Sequence, residues 1–435
     1  MSETALSTIA EINPGVRIPK DITGSDEVSF IPMSDVSESG DWTTHQTRPL
    51  RSVTAGFTAF EEGDVLVAKI TPCLENGKGA HARALRNGIG FGSTEFHVLR
   101  ARQGVEPRFV FHVTQSQRFR QAAERQMVGS AGQQRVQRQF FDEFLIRDFS
   151  SEEQIGISQI LDTLDTAICE TEALIDKLKA VKQGLLHDLL SRGLDANGQL
   201  RPPQSEAPLL YKESPLGWIP REWEVVTLES VSSAVTSGSR DWARFYSDSG
   251  ALFVRIGNLT REHINFRYDS VIRVKPPANG DGQRTKLEPG DILVSITADL
   301  GIIAVVPEGM GEAYINQHIA LVRPISSLVN PRFVGHYLAG PIMQAYIGQL
   351  NDAGAKAGLN LPTIRNLPSV FPSRFEQGQI AARLDEIDNR IQNAMTEAKK
   401  LSELKSGLMD DLLTGRVRVT PLLESMQQPA AQTGV

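Results

Sequence analysis

Basic and amide side chains that could hydrogen-bond to the edges of nucleic-acid bases fall in two separate stretches of this 435-residue chain. Arg pairs in a two-pronged manner with guanine, and Asn or Gln with adenine, so these residue types can carry sequence information. The candidates in the first stretch are Lys78, His81, Arg83, Gln133, Gln134 and Arg135. Those in the second stretch are Arg240, Arg244, Tyr246, Asn258, Asn316, Gln317, His318 and Lys356. Taken singly, each is better explained as a surface or turn residue, and Tyr246 also as a core residue.

The spacings that support catalysis are absent from the sequence. It has no G-x-S-x-G, HExxH, Walker lysine or strand-associated GxGxxG motif. Residues 330–333, Asn-Pro-Arg-Phe, come nearest to the catalytic loop of a DNA amino-methyltransferase but lack its two central prolines. Residues 403–405 have nuclease-like E-x-K spacing but lie within a helical repeat. The eight histidines show no metal-ligand spacing, so the sequence predicts no catalytic residue and no metal site, and indicates binding.

A turn at residues 75–79 could present Lys78 to a phosphate group. The turn reads Glu-Asn-Gly-Lys-Gly, which lacks the GxxxxGK[ST] spacing of a nucleotide-binding loop. We therefore expect a backbone phosphate contact at most, and no bound nucleotide.

Two long helical repeats must position these side chains. Steps of alternating four and three residues through 153–190 select ten positions, of which eight are apolar. The segment 376–413 repeats this pattern with nine apolar positions, and the two segments share 15 identities in 38 positions. A sustained 3.5-residue period is typical of helices that pack along one another. We expect an intramolecular antiparallel coiled coil that relates two halves by a pseudo-twofold axis.

Each apolar seam contains one lysine, Lys182 in the first repeat and Lys405 in the second. A lone charged residue in a seam lowers stability but fixes the register of the two helices. Alternatively, each lysine could simply extend its amine to water near a helix end. The sequence supports both interpretations equally.

The rest of the chain predicts two homologous α+β domains. Short apolar or alternating runs bounded by Gly, Pro, Ser and Asn predict strands, and residues 30–36 align with 253–259 at an offset of 223. The predicted organisation is a first domain at 1–150, a long helix at 151–193, a Pro-rich linker at 194–222, a second domain at 223–373, a distal long helix at 374–417 and a disordered tail at 418–435. Sequence between the shared segments differs, so the domains should present different side chains on one scaffold.

Composition predicts a cytoplasmic protein with a polyanion partner. The net charge is −7, yet residues 78–147 hold 12 Lys or Arg against five acids, and residues 240–286 hold nine against five. A positive face on an acidic protein fits a polyanion, although a solvated Arg-rich surface explains it equally well. Cys73 and Cys169 form no CxxC pair, and no apolar run reaches membrane-spanning or signal-peptide form, so we expect no disulfide and no membrane association.

Several segments closely resemble the specificity (S) subunit of type I restriction–modification enzymes. They are KQGLLHDLLSRGLDANGQLRPP with the following SPLGWIPREWEV, the second copy KSGLMDDLLTGR, and the EQ-x2-I-x3-LD openings at 153–162 and 376–385. The resemblance covers essentially the whole chain, and the order domain, helix, domain, helix is its most specific feature. It implies a non-catalytic subunit with two target recognition domains, each of which reads one part of a split, non-palindromic double-stranded DNA sequence.

The resemblance also implies partners. The long helices would set the unspecified spacing and dock two methyltransferase (M) subunits, and motor/nuclease (R) subunits would join through the complex in defence against foreign DNA. S-adenosylmethionine, ATP and Mg would bind to those partners, with no cofactor on this chain. Two alternatives are a coiled-coil adaptor for two different proteins, which the Arg-rich domains disfavour, and an enzyme with its own methyltransferase or nuclease activity, which the missing motifs disfavour.

Overall fold

A computed structural model describes residues 2–40, 42, 44–130, 132–238, 240–276, 280–352 and 359–419. Lys356 and most of the predicted tail lie outside these residues. The chain divides into two compact units, one of residues 1–172 with 396–435 and the other of residues 173–395. Within the described part of the chain, no helix is long and apolar enough to cross a membrane.

Two 41-residue helices contribute to both units. The first long helix is Ser151–Ser191 and the second is Arg374–Thr414. Each ends two or three residues before its predicted boundary. Gly415 follows the second helix with φ of 66°, a left-handed conformation that glycine adopts without steric cost and that commonly ends helices.

Within its described residues, the first unit contains two four-stranded sheets and one two-stranded sheet. The antiparallel sheet has the order Ala10–Ile12, Phe96–Ala101, Val65–Ala68 and Gly79–His81. The mixed sheet has the order Gln46–Pro49, Glu27–Ile31, Ile89–Gly92 and Thr58–Glu61, with its two central strands parallel. Glu3–Ala5 pairs with Leu145–Arg147. The shorter helices are Leu6–Ile9, Pro107–Gln115, Gln117–Arg125 and Phe140–Glu143.

The described part of the second unit has a corresponding pair of four-stranded sheets. The antiparallel sheet has the order Ser232–Ser237, Ile319–Pro324, Ile292–Ser295 and Ile303–Val305. The mixed sheet has the order Tyr246–Ser247, Arg273–Val274, Ala251–Val254 and Ala313–Ile315, and its last two strands are parallel. Glu224–Thr227 pairs with Pro368–Phe371. The shorter helices are Gly280–Arg284, Pro331–Ala339, Pro341–Asp352 and Leu361–Arg365.

The duplication predicted from the sequence extends to strand register. Phe30 pairs with Phe91 across the parallel strands of the first unit, and Phe253 pairs with Tyr314 across those of the second. Each residue of the second pair lies 223 positions after its counterpart in the first pair. The α+β class and the repeated scaffold are therefore confirmed, while the edge strands of the mixed sheets differ between the units.

The long helices run antiparallel within each unit, as predicted. In the second unit, Glu376 accepts a hydrogen bond from the Leu194 amide at 2.8 Å, and twelve residues further on Asp388 pairs with Lys182. In the first unit, Arg418 pairs with Glu153 at 3.8 Å and Lys405 with Asp165. All twenty predicted seam positions are buried or half-buried, which explains their apolar composition.

The linker has structure that its proline content does not predict. It forms a hairpin of Tyr211–Ser214 with Gly217–Pro220. Upstream, Arg201 donates to Glu376 at 2.6 Å, and both side chains are buried. The linker therefore attaches to the start of the second long helix. At the chain's other end, Val419, assigned to the tail from sequence, is buried in the core of the first unit.

Candidate nucleic-acid interface

In the second unit, three predicted base-reading residues lie together where the strand Ala313–Ile315 ends. Gln317 Nε2 lies 2.9 Å from His318 Nε2, and His318 Nδ1 lies 2.7 Å from Thr297 Oγ1. The buried Asn316 accepts a hydrogen bond from the His318 amide at 3.2 Å. Gln317 and His318 are half-buried, so one side of this hydrogen-bonded row remains accessible.

The equivalent edge of the first unit holds the predicted residues Gln133, Gln134 and Arg135. Arg135 donates to both carboxylate oxygens of Glu95 at 2.9 Å, and the Gln134 carbonyl accepts from the Thr71 amide at 3.0 Å. Hydrogen bonds to Arg135 lower the pKa of the Glu95 carboxyl. This edge therefore presents an ion pair, with Gln133 exposed beside it.

The equivalence of the two edges follows from backbone contacts. The amide of Lys69 donates to the Glu95 carbonyl at 2.9 Å, and the amide of Ile296 donates to the His318 carbonyl at 3.0 Å. The Val136 and Leu359 amides then donate to the Lys69 and Ile296 carbonyls. Glu95 and His318 thus occupy the same place on one scaffold and present different chemistry.

The other candidates of the first unit are less accessible than the sequence suggests. Lys78 is half-buried, with Nζ 3.3 Å from the Met33 carbonyl oxygen. Neither ring nitrogen of His81 has a hydrogen-bond partner among the described residues, and the ring stacks near Phe111 with centroids 6.4 Å apart. Burial, reinforced by nearby Arg side chains, lowers the pKa of His81 to about 4. Arg83 is exposed.

The other candidates of the second unit divide into exposed and structural residues. Arg240 and Arg244 are exposed, and the Arg244 guanidinium lies 4.9 Å from the Phe245 ring centroid. Tyr246 is 46% exposed, which leaves its ring free to contact a ligand. Asn258 is buried: its Oδ1 accepts from the Arg255 amide at 3.0 Å, and its Nδ2 donates to two carbonyls at 3.1 and 2.9 Å. Its amide therefore stabilises a loop of the fold.

An ionic cluster in the first unit was not singled out from the sequence. Arg108 Nε donates to Asp162 Oδ1 at 2.8 Å, and His112 Nε2 lies 2.8 Å from the same oxygen. One turn along the helix, Asp165 pairs with Lys405 and lies 3.6 Å from Arg108. We call these five residues the first junction. They join the helix Pro107–Gln115 to both long helices.

The second unit repeats this cluster at offsets of 223 and 224. Arg332 Nε lies 3.0 Å from both oxygens of Asp385, and His336 Nε2 lies 2.6 Å from Asp385 Oδ1. Asp388 pairs with Lys182 at 2.5 Å. These five residues form the second junction. Lys182 and Asp388 are both buried, so this lysine does not extend to water.

The charges within each junction are balanced. Burial opposes ionisation of Asp162, but hydrogen bonds from His112 and Arg108 outweigh it and hold the pKa of that carboxyl well below its usual range. Burial lowers the pKa of His112, so the imidazole is neutral at pH 7. Ligand atoms of His112, Asp162 and Asp165 lie within 4.8 Å of one another, as in a metal site. Because Arg108 and Lys405 already neutralise both carboxylates, we interpret the group as an ionic network.

A cavity lies beside each junction. That of the first unit has a volume of about 460 Å³ and is lined by Asp165, Lys405 and Ile168 among others. That of the second unit has a volume of about 450 Å³ and is lined by the equivalent residues Asp388, Lys182 and Ile391. The duplication therefore includes a pair of surface cavities in which both long helices take part.

Comparisons with known proteins point to one family. Residues 220–406 match the family described as type I restriction modification DNA specificity domain. The type I restriction enzyme EcoAI specificity subunit of Escherichia coli is 43% identical over 141 residues, which cover 32% of this chain and 23% of that protein. The chain thus spans about a quarter of that relative's length.

Two further proteins are similar over more of the chain. The type I restriction enzyme MjaVIII specificity subunit of Methanocaldococcus jannaschii is 24% identical over 299 residues, which cover 66% of this chain and 65% of that protein. The crystal structure of a type I restriction–modification system S subunit from M. genitalium matches with a TM-score of 0.59 and 15% identity. The structural match covers 95% of this chain and 96% of the M. genitalium chain.

Proposed function

We propose that this chain is a specificity subunit of a type I restriction–modification enzyme, which reads a split, non-palindromic DNA sequence and brings two methyltransferase subunits to it. Motor/nuclease subunits would join through the assembled complex. S-adenosylmethionine, ATP and Mg would bind to these partners, and this chain would supply recognition alone.

One observation carries the proposal of a split target. The two domains hold Glu95 and His318 at the same scaffold position, but the first presents a Glu–Arg pair and the second a Gln–His–Thr row. Carboxylates accept hydrogen bonds from cytosine, whereas amides pair with adenine. Equivalent edges with different hydrogen-bonding groups should select different bases, so the two half-sequences should not be related by a palindrome.

The helices support the choice of partner. Each unit contains a cavity beside its junction, and equivalent residues of the two long helices line both cavities. Two equivalent surfaces fit two copies of one partner better than two unrelated partners. This reasoning favours paired methyltransferase subunits over an adaptor that links two different proteins.

The test is methylation in a reconstituted system. The purified chain, the methyltransferase subunit encoded with it, and labelled S-adenosylmethionine are combined with a library of random double-stranded DNA. We expect methylated molecules to share two unlike half-sequences at one fixed spacing. The chain alone and the methyltransferase alone should transfer no label to DNA.

The outcomes separate the competing functions. Transfer of label by the rigorously purified chain alone would show an enzyme with its own activity. A complex that forms but methylates without a shared sequence would contradict the recognition role and favour an adaptor.

A further inference from the structure

The two junctions repeat the same five side chains in the same roles. In each, an Arg and a His from a domain helix bind one Asp of a long helix, and a second Asp one turn away binds a Lys of the other long helix. All three junction positions on the long helices are identical in both repeats, whereas the repeats as a whole share 15 of 38 positions.

The geometry of the junctions restricts rotation. A guanidinium that meets a carboxylate through two nitrogens fixes an angle as well as a distance. Arg108 donates through both Nε and Nη2 to the single oxygen Oδ1 of Asp162. Arg332 Nη2 donates to Asp385 Oδ1, and Arg332 Nε lies 3.0 Å from both oxygens of Asp385. The domain helix therefore cannot turn about the long helix without breaking charged hydrogen bonds.

Each domain also has a second attachment on the same long helix. Gln154 accepts a hydrogen bond from the Glu106 amide at 3.1 Å, and Gln377 accepts one from the Asn330 amide at 2.7 Å. Gln154 precedes Asp162 by eight residues, which is roughly 12 Å along a helix. Two separated points of attachment fix the direction of the domain helix relative to the long helix, whereas a single point would let the domain helix pivot.

Building on the proposed function, we propose that the two junctions are positioning sites that hold each recognition domain in one orientation on the long helices and so restrict the complex to one spacer length. The inference concerns residues distant from the candidate base-reading edges. They would act through domain orientation, with no contact to a base.

The test uses the complete chain assembled with its methyltransferase partner. The variants are Asp162→Asn for the first junction and Asp385→Asn for the second. Substrates carry the native half-sequences with the native spacer, one base pair fewer or one more. We expect each variant to keep the half-sequences and to lose spacer selectivity on the order of tenfold, as for the loss of one hydrogen bond to a charged group.

Two further variants separate positioning from folding. Arg108→Lys keeps the charge but not the paired geometry, so its spacer selectivity should lie between wild type and Asp162→Asn. Asp21→Asn, an exposed position outside the junctions, should match wild type. The proposal would be overturned if both junction variants and Arg108→Lys lost methylation rate equally on all three spacer lengths. It would also be overturned if the junction variants kept the wild-type preference for one spacer length.

A second measurement is independent of DNA. In a Cys73→Ser background, one spin label is attached at the natural exposed Cys169 of the first long helix and another at Thr47→Cys on the first domain. Pulsed electron–electron double resonance measures the distribution of distances between the two labels. We expect this distribution to be narrow in the otherwise unchanged chain and to broaden when Asp162→Asn is added. An unbroadened distribution would overturn the positioning role. A wild-type complex that methylates no split site, with broadening still observed, would instead contradict the proposed function.

Discussion

At the scale of single residues, Gln317 and Glu95 illustrate how one scaffold can present two sets of hydrogen-bonding groups. Gln317 is half-buried beside His318, at a strand end that is equivalent to the Glu95 edge of the other domain. We expect Gln317→Ala and Arg244→Ala to relax specificity at one base of one half-sequence, by about 1–3 kcal/mol for a lost two-pronged contact. The measurement is competition binding of the assembled complex to single-base variants at two salt concentrations.

Lys78→Ala provides the contrast for that experiment. A phosphate contact acts on every sequence alike, so its loss should weaken specific and random DNA together and lower the salt slope by about one unit. If Gln317→Ala or Arg244→Ala weakens binding uniformly across the panel of DNA variants, that residue contacts the phosphate backbone or supports the fold. Its assignment as a base-contacting residue is then wrong.

His81 should make the stability of the chain sensitive to mild acid. Its pKa is lowered from 6.5 to about 4 in the folded state, so the unfolded state binds the proton more tightly. The contribution of the neutral His81 ring to the free energy of unfolding is therefore complete above pH 6.5, and it is lost as the pH falls from 6.5 toward 4. Between pH 7 and pH 5 the loss should be about 2 kcal/mol.

Urea unfolding of the full chain at both pH values measures this effect. His81→Phe, which should pack near Phe111, ought to lose about 2 kcal/mol less stability on acidification than wild type. The matched control is His187→Ala at an exposed position, for which we expect the wild-type loss. An identical acid response of His81→Phe and wild type would show that the ring is solvated.

Residue roles could be predicted from the sequence only in part. Residue type suggested Asn258 as a base reader, but its amide is engaged in three hydrogen bonds within the fold. Arg135 is paired with Glu95, and its role as a base reader stays a prediction. Residue type does not reveal which polar groups the fold itself uses. A usable signal was present for the junctions, because Asp162 and Asp165 recur as Asp385 and Asp388 in two otherwise divergent repeats.

At the scale of elements, the buried pair of Lys182 and Asp388 should specify helix register more than it adds stability. Removing one partner leaves an uncompensated buried charge, so Lys182→Met should destabilise the chain by about 3–5 kcal/mol. The double variant Lys182→Met with Asp388→Leu should recover most of that loss. Urea unfolding of both variants provides the measurement.

The exposed pair of Lys399 and Glu403 offers a matched control on the second long helix. Its side chains are 78% and 67% exposed and lie 4.0 Å apart, so Lys399→Met should cost less than about 0.5 kcal/mol. If Lys182→Met costs no more than Lys399→Met, Lys182 is solvated and does not specify register.

Lengthening the helices should lengthen the target. Seven residues inserted in register after Ala173 and after Thr396 keep the seam in place and add roughly 10.5 Å, or about three base pairs. We expect the methylated site to keep both half-sequences and gain spacer bases, as read by sequencing of methylated DNA. If the complex is active and its spacer is unchanged, the length of the helices does not set the spacing between the half-sequences.

The elements were predictable to the extent that periodicity determines them. All twenty positions of the apolar seams are buried or half-buried, because a 3.5-residue pattern places them on one face. The linker was not predictable in this way. Its hairpin pairs Tyr211–Ser214 with the nearby Gly217–Pro220 within a Pro-rich segment that has no apolar period. The pair of Arg201 with Glu376 joins residues 175 positions apart, which no local pattern encodes.

At the scale of the whole molecule, the two α+β domains should be exchangeable. Replacing residues 240–360 with the corresponding block of another family member should change one half-sequence and leave the other intact. The reason is that each domain has its own sheets and its own core. Sequencing of methylated DNA identifies both halves. Loss of both halves in a folded chimera that still binds the methyltransferase would count against modularity.

The repetition of the junctions has a consequence for how such chains diversify. Each domain is anchored by an Arg and a His of its own helix to an Asp that both long helices carry at the same place. A domain that arrives by recombination with this Arg and His finds its anchor already present, whichever half it enters. Under the proposed function, new targets would then arise by exchange of whole domains, and their number would grow as the product of the available first and second domains.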